Sequence, residues 1–356
     1  SDVCSSDLRK PEEAIKKCDE LLSYYPMNSL VLFIRGKAYN KLGKRDAALK
    51  DYSASLFCKK RGFVFATRGD LYQYKLENHE EAVKDYTEAI KLNPTGSNSA
   101  YSDRANAYYN LNDYDKAESD AKRYVDAGGK NFDAFNTLMR VYKDRKKYDD
   151  ALKYSEKYIE LYPKSKRGHN MAGRVYSAMG DHKKAVEEFT KALKQDSKFV
   201  SAYQNRSIAY QEMGDMKKAL ADAEKSLKYA KRAKSNYLIY LSYRRFGYIY
   251  IAQKKQKEAI AEFKAANPFA TDAEKKVLLN DIAQACALNP DYGRVPFINK
   301  DGLVIIPVTL GGGNYKFNFI FDTSGLVSQF TASGIKKLSE YGEKDIYVWM
   351  VFFFIT

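Results

Sequence analysis

An alanine returns about every 34 residues along most of this chain. It stands at Ala14, Ala48, Ala82, Ala117, Ala151, Ala185, Ala219 and Ala259, with successive spacings of 34, 34, 35, 34, 34, 34 and 40. A second ladder, aromatic and offset from the first, runs Tyr39, Tyr72, Tyr108, Tyr142, Tyr176, Tyr210 and Tyr250. Two ladders sharing one period mark a supersecondary unit copied along the chain, and a period near 34 fits a pair of helices. One such pair cannot bury its apolar face alone, so the copies must stack. The spacing predicts an all-α solenoid over residues 9–268, with about seven repeats after a leading half repeat. That half repeat, Pro11 to Pro26, is a second helix without a first, as a chain begun part-way through a repeat would show.

Composition agrees. A chain of 356 residues is too long for one ordinary core, so an array or two domains is expected. Charged residues make up 29%, whereas Gly (20) and Pro (8) are sparse, which suits stacked helices better than a sandwich or a disordered tail. The net charge of +15 admits attraction to nucleic acid, anionic lipid or acidic peptides. It equally fits lysine-rich solvated faces, because Lys and Glu alternate and no compact block of like charge appears. Binding RNA needs a continuous basic stripe, but Arg145 to Lys147, Lys183 with Lys184, and Lys217 with Lys218 fall near turns. RNA binding therefore ranks below protein binding.

Cys4, Cys18, Cys58 and Cys286 lack the spacing of a zinc or redox motif, and His79, His169 and His182 do not cluster near them. No metal, cofactor or disulfide framework is expected, and both cytoplasm and periplasm stay open. Ser1 to Leu8 (SDVCSSDL) reads as one frame of a common sequencing adapter and is set aside, which places the natural start upstream.

The repeat resembles the tetratricopeptide family. That pattern has a small residue at position 8, here Gly36, Gly69, Ala105, Gly173 and Gly247, with the alanine ladder at position 20. Tyr52, Tyr86, Phe189 and Phe263 supply the aromatic at position 24, and Pro26, Pro94 and Pro163 the proline at position 32. Met139 and Ser207 depart at position 8, and Gly129 replaces a proline. The resemblance implies a right-handed superhelix of helix pairs that binds polypeptides. The last pair follows a longer connection, Lys228 to Tyr240, and Thr271 to Leu288 reads as an amphipathic capping helix with Thr271 or Asp272 at its N-cap.

In this family, positions 5 and 9 of the first helix line the concave face. Here they are Ser102/Asn106, Asn136/Arg140, Asn170/Arg174 and Gln204/Ile208. Each pair is i,i+4 and shares a helix face. Amides beside guanidinium groups suit a peptide backbone and an acidic or C-terminal carboxylate; solvated surface residues would look the same. Asn106, Asn136, Arg140, Asn170, Arg174 and Gln204 are the candidate groove. They resemble only in part the carboxylate clamp of chaperone-binding relatives.

From about residue 294 the period changes from 3.6 to 2. Leu303 to Leu310 and Tyr315 to Phe321 read as strands joined by a Gly-rich hairpin. Asp322-Thr323-Ser324-Gly325 and an expected helix, Ser333 to Glu340, follow. This stretch resembles the opening of a retropepsin-like aspartic peptidase. The resemblance implies that Asp322 is catalytic, with Thr323 and Gly325 beside it, although Ser324 stands where the family has Gly. Asp322 as a turn residue is the alternative. That chemistry needs two aspartates, so a homodimer or a second lobe would be required, and residues 294–356 are expected to be a truncated, inactive β-domain. The tail, Asp345 to Thr356, reads as a strand, the start of a membrane span or frame-shifted noise. The expected whole is a polypeptide-binding scaffold joined by a cap and linker (269–293) to part of a peptidase. A pure adaptor with a structural β-appendage is the rival, and the module pairing suggests a bacterial source.

Overall fold

The computed structural model describes residues 10–95 and 98–287, together with the backbone of three short strands at 298–300, 303–309 and 316–322. Sixteen α-helices fill the first part: α1 (Pro11–Tyr24), α2 (Ser29–Lys41), α3 (Arg45–Cys58), α4 (Gly62–Lys75), α5 (His79–Leu92), α6 (Ala100–Asn110), α7 (Tyr114–Asp126), α8 (Phe132–Asp144), α9 (Tyr148–Leu161), α10 (Lys166–Met179), α11 (His182–Gln195), α12 (Val200–Glu212), α13 (Met216–Arg232), α14 (Asn236–Ala252), α15 (Gln256–Ala266) and α16 (Asp272–Ala287). The chain divides into two compact units, Ser1–Asp222 and Ala223–Thr356.

In the first unit the expected pairs form where sequence placed them: α2 with α3, α4 with α5, α6 with α7, α8 with α9, and α10 with α11. The turn inside each pair recurs. Gly180 sits at φ 82° and Asp181 caps α11, accepting a hydrogen bond from Lys184 N at 3.0 Å. Glu77, Asn112 and Lys146 take the same left-handed position in other pairs, at φ 53°, 60° and 58°. Glycine relieves strain there but is not required, because the flanking helices hold the turn.

Packing within a pair follows a size rule. All eight ladder alanines are buried, at 0–3% exposure. Where the first helix has glycine, the second presents a ring: a Cβ on Gly69 would lie 2.8 Å from Tyr86, and one on Gly173 would lie 2.5 Å from Phe189. The two departures at position 8 in this unit compensate differently. Met139, wholly buried, is matched sixteen residues on by buried Ser155, and buried Ser207 bonds the Ala219 carbonyl at 2.7 Å. The large group has moved from one helix to the other in the first case. Interiors packed at crystal-like density allow one large group per layer, not two.

A ladder of arginines ties neighbouring pairs together, and the sequence reading missed it. Arg35, Arg68, Arg104 and Arg206 each grip an aspartate of the following helix (Asp51, Asp85, Asp120 and Asp222) through two bonds of 2.7–2.9 Å. Each also reaches back to the preceding second helix, to Asp19, Ser53, Thr87 and Thr190 at 2.6–3.0 Å. One planar guanidinium thus joins three helices, which its fork of donors allows. The tyrosine ladder serves the same seam. Most of its members are half-buried, and cations lie over their rings, as Arg104 does over Tyr108 at 5.7 Å.

The second unit corrects one expectation. The stretched period before the last pair is not a long connection. Helices α13 and α14 both run to 17 residues and leave only residues 233–235 between them. Buried Ser226 and Ser242 join the two helices, their hydroxyls 2.6 Å apart. Helix α16 covers α14 and α15, burying Leu278, Ile282 and Ala285 beside Tyr240 and Phe263. Thr271 is its N-cap: its N–H and hydroxyl bond Glu274 Oε2 at 2.7 and 2.8 Å, and Glu274 N donates back to the Thr271 hydroxyl. Asp281 on α16 takes bonds from Arg244 and Tyr248, both 2.7 Å.

The strands β1 (Ile298–Lys300), β2 (Leu303–Thr309) and β3 (Lys316–Asp322) pair antiparallel in that order. Leu303 stands opposite Asp322 and Thr309 opposite Lys316. Thr323 and Gly325, the helix expected at 333–340, the tail 345–356 and the adapter-like 1–8 lie outside the described residues. No described helix is long and apolar enough to cross a membrane.

Candidate peptide-binding face

Successive first helices in the first unit place one polar side chain after another in contact. From α4, Tyr74 receives a hydrogen bond from Asn106 of α6 at 3.3 Å. Asn106 in turn accepts from Arg140 of α8 at 3.4 Å, and Arg140 lies 3.7 Å over the Tyr109 ring. One step on, Arg174 of α10 donates to Asn136 of α8 at 3.3 Å. Asn170 of α10 accepts from Asn205 of α12 at 3.0 Å. Asn106 thus meets Arg140 and Asn136 meets Arg174, while Asn170 meets Asn205, the chain neighbour of Gln204. Ser102 does not face this band: it is wholly buried and bonds Asn131 at 2.9 Å.

Charge is distributed unevenly along the band. At the α8–α10 end, burial and the nearby Arg140 cation pull the Arg174 guanidinium below its ordinary pKa. Among the described residues no carboxylate forms a salt bridge with Arg174, whereas Arg35, Arg68, Arg104, Arg206 and Arg244 each hold an aspartate. Near Arg140, Asp144 accepts short hydrogen bonds from Tyr109 and Lys143.

At the α4–α8 end stand three acids that the sequence reading missed, Asp70, Asp103 and Asp133. Desolvation first, then Asp70 and Asp133, pushes the Asp103 carboxyl up to about 7. Tyr86 donates to Asp70 at 2.9 Å. Tyr74, 48% exposed, is pushed up to about 12, chiefly by burial of its hydroxyl. Three acids on the first helices of three consecutive repeats were visible in the sequence. That they converge was not, because they occupy three different repeat positions.

Stacked helix pairs whose first helices are linked through polar side chains define an α-solenoid. The tetratricopeptide repeat family matches at residues 71–132, 137–165, 167–199 and 200–232. Over these residues the chain is built of tetratricopeptide repeats. It is similar in fold to a tetratricopeptide repeat protein from Parabacteroides merdae (18% identity, TM-score 0.59, 72% of this chain and 98% of that one). It is also similar to yeast Tom70 (16%, 0.61), covering 80% of this chain and 60% of Tom70. The Cut9–Hcn1 hetero-tetramer of the APC/C is a third (15%, 0.52, 76% and 52%). No curated protein matches the sequence.

Proposed function

We propose that the band from Tyr74 to Asn205 seats an extended polypeptide segment of a partner protein, and that Arg174, helped by Arg140, receives a carboxylate of that segment. The observation that carries this reading is Arg174 itself, a guanidinium largely removed from water that bonds the Asn136 amide and forms no salt bridge among the described residues. Such a cation is costly to keep unless something negative arrives. Asn106, Asn136 and Asn170 supply amide donors and acceptors of the kind that pair with a peptide backbone. The fold serves assembly elsewhere, in the Cut9–Hcn1 hetero-tetramer. Residues 9–268 are the scaffold in this reading, and 269–293 its cap and linker. The test is titration with peptides that end in a free carboxylate or an amide. Amidation should weaken binding about tenfold, and Arg174→Gln should abolish the difference. Equal affinities for both peptides in the unaltered protein would refute it.

A second reading concerns the strands. Antiparallel pairing of β2 and β3, ending at Asp322, is compatible with a retropepsin-like opening and equally with a structural β-appendage. The experiment is pepstatin-sensitive cleavage of unfolded casein by a chain extended beyond Thr356. Loss of cleavage in Asp322→Asn supports the peptidase; a folded, extended chain that never cleaves leaves a pure adaptor.

A further inference from the structure

We infer that the seam between α9 and α10 is a joint at which the first unit bends, latched by the bond from Arg174 to Asn136. The inference goes beyond the polypeptide-binding reading and stands whatever the face binds.

The other seams between consecutive helix pairs of the first unit carry polar ties. Arg35, Arg68, Arg104 and Arg206 tie α2 to α1, α4 to α3, α6 to α5 and α12 to α11. Between α7 and α8, where Leu138 takes the ladder position, other groups replace the arginine. Tyr142 and Arg145 reach Glu118 at 2.8 and 2.7 Å, and Arg145 reaches Asp115 at 2.6 Å. At the next seam the ladder position is Ala172. Among the described residues, no side-chain hydrogen bond or ion pair joins α9 to α10. The acids an arginine there would hold are still in place. Glu188, at the position of Asp51, Asp85, Asp120 and Asp222, is taken by His169 of its own pair at 2.8 Å. Glu156, at the position of Asp19, Ser53, Thr87 and Thr190, is exposed.

The seam itself is close and apolar. A Cβ on Gly168 would lie 2.6 Å from Ile159 Cγ1 and 3.3 Å from Tyr158, so α10 sits tight against α9. Apolar contact has no direction. It resists separation of the two helices but not a small slide of one along the other, the shear motion of packed helices. A planar guanidinium held by several helices does fix direction, and this seam has none.

Each side of the seam is tied within itself. Tyr162, at the end of α9, donates to the Lys130 carbonyl just before α8 at 3.1 Å. On the other side, His169 links α10 to α11, and Asn205 links α12 to α10 through Asn170. What crosses lies on the row of first helices: the 3.3 Å bond from Arg174 to Asn136, and the Arg167 guanidinium 4.8 Å from the Phe132 ring centre. The Arg140 and Asp144 charges also act on Arg174, one repelling and one attracting, without fixing a geometry. The joint therefore falls between Asn136 and Arg140 on one side and Asn170 and Arg174 on the other. It sets how far apart the two guanidinium groups stand.

The test is double electron–electron resonance on the full chain. Lys84, Ser119, Lys153 and Glu187 are exposed, and each stands two residues after a ladder alanine. Nitroxides attached there through p-acetylphenylalanine leave the native cysteines untouched. Labels at 84 and 119 span the seam held by Arg104, and labels at 153 and 187 span the joint. The second pair should give a distance distribution about twice as broad as the first. Arg174→Met should broaden it further. Ala172→Arg, which offers a guanidinium to Glu188 and Glu156, should narrow it to the width of the first pair. Equal widths for the two pairs, or a width at the joint indifferent to both substitutions, would overturn the inference. Should Ala172→Arg fail to fold, the comparison of the two pairs and the Arg174→Met width decide it.

Discussion

A Cβ placed on Gly173 would stand 2.5 Å from the ring of Phe189, closer than any carbon side chain tolerates. The contact joins α10 to α11 in one layer of the core, and Phe189 is wholly buried. Gly173→Ala should therefore destabilise by about 1–3 kcal/mol through overpacking. Phe189→Leu in the same chain should recover part of that loss. Chemical denaturation of the two single variants and the double measures the coupling; purely additive effects would mean the ring moves aside at no cost.

The arginine ladder gives a second prediction. Arg104→Ala would leave Asp120 buried without its two bonds and cut the link to Thr87, costing on the order of 3–5 kcal/mol. Thr87→Val removes the backward reach together with the hydroxyl's bond to the Val83 carbonyl and should cost about 1 kcal/mol. Hydrogen exchange on α5 and α7 should report both, since coupling in a repeat array passes between neighbours.

Asp103 makes stability depend on pH in an unusual direction. Folded, its carboxyl keeps the proton to about pH 7; unfolded, only to about pH 4. Between those values the folded chain binds more protons, so this group's contribution is full below pH 4 and is lost as pH rises to 7. Asp103→Asn should flatten that slope and raise stability at pH 8 by on the order of 1–3 kcal/mol. Unfolding curves at pH 5 and pH 8 that shift equally for both proteins would contradict it.

Arg174 should show the opposite pattern to a structural residue. Arg174→Met removes a desolvated cation that repels Arg140, so the fold should keep its stability or gain about 1 kcal/mol. Discrimination between free and amidated peptide ends should vanish in the same variant. Lost stability with discrimination retained would assign Arg174 to the scaffold.

Much of the fold was legible because it is local and repeated. Ala117 or Ala151 can be recognised one helix at a time, since close approach of two helices needs a small residue wherever it occurs. Gly180-Asp181 is just as local a signal, a left-handed glycine followed by an N-cap aspartate. The stretched spacing before Ala259 misled because a period counts residues without saying whether helix or connection holds them; both flanking helices had lengthened. The Arg-to-Asp spacing of sixteen or seventeen residues was also present, but Arg104 and Asp120 read as solvated surface until α5, α6 and α7 are seen together.

The candidate site divides the same way. Asn136 with Arg140 and Asn170 with Arg174 were readable as i,i+4 pairs on one helix face. Their partners across helices were not, because the offset between stacked pairs decides which residue of one repeat meets which residue of the next. That offset brings Asn205 to Asn170, turns Ser102 inward to Asn131, and puts Asp103 within reach of the Asp70 and Asp133 charges. By itself the sequence determined the helix pairs and their repeat, through steric rules acting within some 34 residues. Only the tertiary structure decided where charges of like sign converge and which arginines hold an aspartate, because those relations exist only once separate repeats are stacked.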